Sequence, residues 1–419
     1  MPTALQVDAI LRDDYKSYWE NLNQKAWLLA QVETKKDSVQ GRIARHSIHA
    51  GRSGGIGARK EGDTLPTADQ QRHLTVPVPV RWNTARIQLT VQLLEMATGE
   101  PGSFVNALES EMSIKNDVMR DINRQLYGTS NGVIATCGTT TTSATIQLLA
   151  ATTATQMRQF YVGRYVDIGT VASPTTIASA RQITAVDTTN KTITVSGATV
   201  STVSGTHFVF NAGSGGASDN TGSTNDGQAE LTGLQTIVST TAVLHTLNPA
   251  TAANAIWKAQ VLSNSGTNRP LSETTLDLAI LNNQVESGET VKALVSNVGV
   301  FVAGKAILSA YQRNIDTMEF NGGFKGIKWS TPGVSGIGSA DLGWYADFDC
   351  PANTLYGINT DKLVCHQIAE GWKWMDQDGA ILSRVSGSLA YEAVLFTSME
   401  LACVQRNAHF AITDLIEAS

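Results

Sequence analysis

The chain has 419 residues, a formal net charge of −6 and only 16 per cent charged side chains, with Gly, Thr, Ala and Ser abundant. That length exceeds one compact core and points to two or three folding units. Mild negative charge excludes tight wrapping of nucleic acid, which gains affinity from clustered Lys and Arg that release counterions.

The cysteines Cys137, Cys350, Cys365 and Cys403 are far apart, with no CxxC pair and no histidine at ligand spacing. Neither a zinc site nor a disulfide framework is indicated, and reduced thiols are expected. The opening MPTALQVDAILRDDYK is broken by Asp8, Arg12, Asp13 and Asp14, unlike the apolar stretch of a signal peptide. No run approaches the ~18 apolar residues of a spanning helix, so a soluble chain without membrane contact is expected.

In chain order, residues 5 to 32 place Ile10, Tyr15, Tyr18, Trp19, Leu22, Trp27 and Leu28 at helical spacing. So aromatic a segment must lie on its own domain or on a neighbour. Residues 41 to 90 hold eight cations (Arg42, Arg45, Arg52, Arg59, Lys60, Arg72, Arg81, Arg86) against Glu61, Asp63 and Asp69, a local +5 that leaves −11 elsewhere. Within this window GRSGGIGARKEGD is glycine-rich, while LTVPVPVRW and ARIQLTVQLL alternate like strands, Pro77 and Pro79 marking an edge. The pattern predicts a two-stranded arm with a flexible basic tip, too small to be stable without a partner surface.

Ser103 caps a helix predicted over 103–127, roughly 38 Å long at 1.5 Å per residue. Its apolar stripe is Phe104, Leu108, Met112, Met119, Ile122 and Leu126; Glu111 and Lys115 pair on the other side, and Gly128 is the stop. From 129 to about 225 the chain is Thr-rich and strand-like, with a hairpin in ARQITAVDTTNKTITVSGA, and GSGGASDNTGSTNDG links it onward. An α/β region follows: a helix from Asn248 and Pro249, another from Ser272 to Gly288, the strand VKALVSN and the helix VGVFVAGKAILSAYQRN. Strands complete the C-terminal part.

Few residues suit chemistry. GRSGG at 51 to 55 matches the G-x-S-x-G of a nucleophile elbow but lacks the buried strand before it and the helix after it, so Ser53 reads as a loop residue. His46 and His49 have no third ligand nearby. Trp372 and Trp374 share one face of a strand and read as a structural pair, with Asp376 and Asp378 as turn acids before Gly379. No motif asks for a cofactor. The arm reads as a hook whose charge sets register against a neighbour.

NDVMRDINRQLYG, the ELTGLQTIV entry at 230 to 238, the Trp257, Leu271, Ser272 pattern, and LSRVSGSLAYEAVLF with QRNAHFAITDL together resemble the major capsid protein of tailed bacteriophages, the HK-ninety-seven capsid fold. The resemblance implies an α+β chain: N-arm 1–35, E-loop 36–98, spine helix of the P-domain 99–128, an inserted β-domain 129–227, A-domain 228–345 and P-domain return 346–419. It implies hexamers and pentamers tiling an icosahedral shell around double-stranded DNA, the subunits being made in the host cytoplasm and residing in the virion. Scaffolding, portal and decoration proteins are the implied partners. Heterologous interfaces that close into rings explain the arms, and such an obligate interface exceeds ~2,000 Å². Trp19, Arg52, Arg59, Lys60 and Arg72 are the intersubunit contact candidates. Met1 leads straight into the N-arm, which implies a scaffold that is separate or already removed.

Some members of that family weld subunits through an E-loop Lys and a P-domain Asn assisted by a Glu. Here Lys60 and Glu400 are in place, but 386 to 406 contains no Asn, so no cross-link is expected. An encapsulin-like compartment of the same fold is the alternative, a Ser53 hydrolase a third, and a β-rich adhesin fits only residues 129 to 225.

Overall fold

The computed structural model describes residues 28, 31–36, 43–51, 53–92, 114–214, 230–309, 327–331, 340–368, 372–376 and 381–418. Within these, the basic window divides into two different structures. After β1 (Glu33–Lys36), strands β2 (Ile43–Gly51) and β3 (Arg72–Pro79) pair antiparallel, with Ile43 opposite Pro79 and His49 opposite His73. They form a sheet of two strands, which leaves β3 an open edge that tolerates the missing N–H groups of Pro77 and Pro79. This is the arm.

Strand β4 (Arg81–Thr90), expected as half of that arm, instead runs away from it. Its ten residues pair with a long strand near the C-terminus, Arg81 opposite Met399 through Thr90 opposite Ala390, and its buried face is Ile87 and Leu89. A period of two specifies a half-buried strand but not which edge it joins. The arm is therefore built from the stretches on either side of the glycine-rich loop.

Helix α1 (Ile114–Tyr127) is the described part of the spine; its predicted beginning at Ser103, with Glu111 of the expected Glu111–Lys115 pair, lies outside the described residues. Ile122, Leu126 and Tyr127 are buried, and Gly128 ends the helix, its N–H donating to the carbonyls of Arg124 and Gln125 at 3.1 Å each. Strands β5 (Val133–Thr136), β6 (Thr140–Ser143), β7 (Thr145–Gln147), β8 (Tyr165–Gly169), β9 (Ala178–Asp187), β10 (Thr192–Val195), β11 (Val200–Thr202) and β12 (Phe208–Asn211) follow, with a short helix α2 (Ala154–Met157) among them. Six make an antiparallel sheet in the order β5-β12-β8-β9-β10-β7, and β6 pairs with β11. The β9–β10 hairpin turns where the sequence places it, the Asp187 carboxylate accepting from the N–H groups of Thr189 and Asn190. This unit has its own core around Ile146, Ile168, Ile193 and Val209.

The chain returns at α3 (Leu234–Ile237). Strands β13 (Gln260–Leu262), β14 (Ala293–Ser296), β15 (Ile327–Thr331), β16 (Ala340–Ala346) and β17 (Leu355–Ile358) join a mixed sheet, β13-β22-β17-β14-β16-β15, whose β22 is the late segment Phe410–Ile412. Helix α4 (Glu273–Ser287) is capped as its sequence says, the Ser272 hydroxyl accepting from Thr275 N–H and Gly288 turning left-handed at φ 70°. Helix α5 (Val298–Ser309) lies over the same core, where Gly304 leaves room for the buried Trp344. The helix expected from Asn248 does not form. Asn248 accepts from Ala250 N–H in a side-chain turn, only Ala252–Asn254 coil into a 3₁₀ turn, and Trp257 is driven into the core with its indole N–H on Leu244 O.

The C-terminal strands β18 (Leu363–Gln367), β19 (Lys373–Trp374), β20 (Ser383–Arg384) and β21 (Ala390–Cys403) complete the sheet that holds β1 and β4. One edge of β21 meets β18, β19 and β20 in succession while the other carries β4. The main core lies here, joining the arm base (Ala44, Ile48, Val76, Val78), α1, α3 and Trp257 to Leu363 and Leu401. All four cysteines are buried and free.

Candidate assembly surfaces

The arm ends in a loop, residues 53–71, whose neck is tied by hydrogen bonds. Ser53 Oγ donates to Asp69 O at 2.9 Å and Gly54 N–H donates to the Asp69 carboxylate at 2.8 Å. These N–H groups, Gly54 first and Gln70 next, hold the Asp69 carboxyl below its ordinary range. Ser53 is thus a structural link in the loop. Beyond the neck Ile56 is 81% and Leu65 86% exposed. Isolated apolar side chains on a surface are ordinary, but two of them at the end of an arm with no core beneath gain most from a partner.

The tip is only weakly basic: residues 51–72 hold four cations, Arg52, Arg59, Lys60 and Arg72, against three carboxylates, Glu61, Asp63 and Asp69. Arg81 is buried in the main sheet and Arg86 pairs with Glu392 at 2.5 Å on the β4–β21 ladder, so two members of the basic window stabilise the body. Of the predicted contact residues, Arg59, Lys60 and Arg72 are exposed on the arm, whereas Trp19 and Arg52 lie outside the described residues.

At the arm base the charges are buried. His46 on β2 places Nε2 2.6 Å from Nε2 of His366 on β18, the rings 4.7 Å apart. Glu400, opposite His366 on β21, is fully buried; one oxygen accepts from Thr232 N–H at 2.8 Å and the other lies 3.6 Å from Arg81 Nε. Burial pushes its carboxyl up to about 7 against the opposing pull of Arg81 and Thr232. Nearby, burial first and the Arg406 charge second push His245 down to about 3. Arg406 itself donates to the carbonyls of Ile237, Ala242, Trp257 and Thr236 at 2.7–3.1 Å. None of this burial is visible in sequence, because a charged residue enters a core only where its partners do.

A second network fastens α1 to everything around it. Arg124 bridges Asp121 at 3.1 Å and the buried Glu230 at 2.5 Å, and Arg164 of the Thr-rich unit reaches Asp121 at 3.1 Å. Burial alone would raise Asp121, but the two guanidiniums outweigh it and hold the carboxyl at about 2. Asn123 donates to Asp349 at 2.7 Å, Tyr127 OH donates to Asp347 at 3.1 Å, and Gln159 donates to Asp349 at 2.8 Å. The helix, the inserted unit and the 347–349 turn are locked together by polar groups inside the protein.

Other exposed aliphatics sit on the helices of the mixed sheet: Leu278 and Val285, seven apart on α4, and Val302 on α5. No described helix is long and apolar enough to cross a membrane, and no cluster of three or more metal-ligating side chains occurs among the described residues.

No family model and no curated protein matches the chain. Solved structures do. The capsid asymmetric unit of cyanophage A-1(L) is 13% identical and aligns over 99% of both chains with a TM-score of 0.58. The capsid of a native GTA particle is 8% identical over 98% of this chain and 97% of its own, and that of an empty GTA particle 9% over 99% and 98%, each with a TM-score of 0.51. The chain has the fold of a phage capsid subunit. In this capsid fold the α+β order expected from the HK-ninety-seven resemblance holds from arm to C-terminal sheet. At such low identity the arrangement of elements persists where individual residues do not.

Proposed function

We propose that the chain is the major capsid protein of a tailed phage, assembling as hexamers and pentamers into an icosahedral shell that encloses double-stranded DNA. One observation carries this: the capsid-subunit likeness spans 99% of the chain, so it includes the arm as well as the body. In this reading the E-loop expected over 36–98 narrows to 36–80, since β4 pairs with β21 in the main sheet, 99–128 are the spine helix, 129–227 an inserted domain, 228–345 the A-domain and 346–419 the return of the P-domain. Arg59, Lys60 and Arg72, with Ile56 and Leu65, contact a neighbouring subunit, and Trp19 and Arg52 join them. The role is mechanical, not catalytic. Scaffolding, portal and decoration proteins are the partners of such a shell.

Sedimentation of the purified full-length chain tests the proposal. Material of megadalton size is expected; a population that stays monomeric at high concentration contradicts it. Denaturing electrophoresis of assembled particles is expected to give one band at the monomer mass, because 386–406 supplies no Asn for a weld and Glu400 is engaged by Arg81 and Thr232. A ladder of higher bands would overturn that part.

A further inference from the structure

Between β4, α1 and the inserted unit the surface opens into a cleft of about 580 Å³, a volume within the range of sites that hold a small ligand. Its lining includes two open aromatic rings. Trp82, beside Phe396 of β21 on the outer face of the main sheet, is 56% exposed, although tryptophan ordinarily buries most of its surface. From the inserted unit comes Tyr161, 58% exposed, in a turn that is fixed from within. There Arg164 donates to Gln159 O at 2.6 Å, and its guanidinium lies 5.6 Å from the Tyr161 ring. Rings held this way from two different elements offer stacking surfaces that the subunit itself does not cover.

The charges of the cleft are unequal. Arg124 and Arg164 share Asp121, and Arg124 also takes Glu230, so these two cations and two carboxylates balance. Arg120 and Arg158 remain, a local excess of four arginines minus two carboxylates, or +2. Neither pairs with a carboxylate among the described residues, and the Arg158 guanidinium lies 4.8 Å over the Phe348 ring, held ready for an anion. The rest of the lining mixes donors and acceptors. Asn83 accepts from Gln125 Nε2 at 3.0 Å, while Asn83 Nδ2, Arg164 Nε and Glu230 Oε2 have no partner among the described residues. Hydroxyl groups both donate and accept, so a polyhydroxylated ligand suits such a lining better than an apolar one.

We propose that this cleft binds an acidic glycan: a sugar ring lays its C–H face on Trp82 or Tyr161, its hydroxyls meet the polar lining, and its carboxylate is received by Arg120 and Arg158. A single-stranded nucleic acid also stacks on aromatic rings, but its repeating phosphates need a cationic track, and here Asp121 and Glu230 interrupt one. The site lies within one subunit, so it stands or falls independently of shell formation.

An array of sialylated, uronate-containing and neutral glycans, with oligo(dT) beside them, tests this when probed with the labelled full-length chain. Retention on acidic sugars about tenfold or more above neutral sugars and oligo(dT) is expected, as a charge-assisted contact supplies. Retention on no acidic sugar, equal retention on neutral ones, or preference for oligo(dT) overturns the proposal. Trp82→Ala is expected to weaken binding about tenfold through the lost ring. Arg120→Gln together with Arg158→Gln is expected to abolish the preference for acidic over neutral sugars, a readout that a merely structural role would not move. Tyr161→Ala replaces Trp82→Ala if the latter fails to fold. Binding and preference left unchanged by these variants would place the ligand elsewhere and contradict the cleft.

Discussion

Arg124 and Glu230 are both withdrawn from solvent, and each supplies the other's closest opposite charge. Glu230→Gln would leave the guanidinium buried with Asp121 alone, and removing one member of a buried pair costs about 3–5 kcal/mol. Urea unfolding of the variant checks this; a loss under about 1 kcal/mol would show that the pair contributes little. His409 is fully buried, pushed down to about 3 by burial and then by the Arg406 charge, and its Nδ1 accepts from Asn359 N–H. A folded value below the unfolded one means its contribution is complete above about pH 6.5 and is lost as pH falls toward 3. Glu400 runs in the opposite direction, its contribution fading as pH rises through about 7. In His409→Asn the slope of stability against pH between about 6 and 4 should be shallower than wild type by about 1.4 kcal/mol per unit, a comparison in which Glu400 cancels. An unchanged slope would mean that the ring is not kept neutral. Side chains of this kind were the least legible in sequence: Arg81 and Arg86 counted toward a basic arm until their partners on β21, some three hundred residues away, were known.

Elements whose determinants are local were legible. The end of α1 follows from Met119, Ile122, Leu126 and Gly128, both caps of α4 from Ser272 and Gly288, and the β9–β10 hairpin from DTTNK. Those set by distant chain were not: β4 alternates like an arm strand, and only its pairing with β21 separates it from the arm. Closure of the inserted unit is a further property the sequence hides. A Cβ on Gly233 would lie 2.3 Å from Gly128 O, so the chain returns to the point at which it left. Replacing 130–229 by a short Gly-Ser bridge should therefore leave a folded remainder by circular dichroism. Its stability should be lower, because Asp121 and Asp349 lose Arg164 and Gln159. Collapse to an insoluble product would instead make the unit part of the body's core.

At the scale of the molecule, the fold was read from the order of arm, helix, α/β region and returning strands, an order that survives at 13% identity. Most of the net positive charge of the 41–90 window does not sit at the tip, since composition over a window does not say which cations leave with the body. The exposed aliphatics of the tip bear the account's functional weight. Ile56→Asp together with Leu65→Asp should change subunit stability by no more than about 0.5 kcal/mol, as exposed positions do, yet reduce assembly about tenfold by sedimentation. Unimpaired assembly would exonerate the tip. The most direct measurement is electron microscopy of the purified full-length product: closed polyhedral shells with arms crossing between subunits are the expected result, and a field of dispersed single chains, each with its arm laid on its own body, would contradict the account.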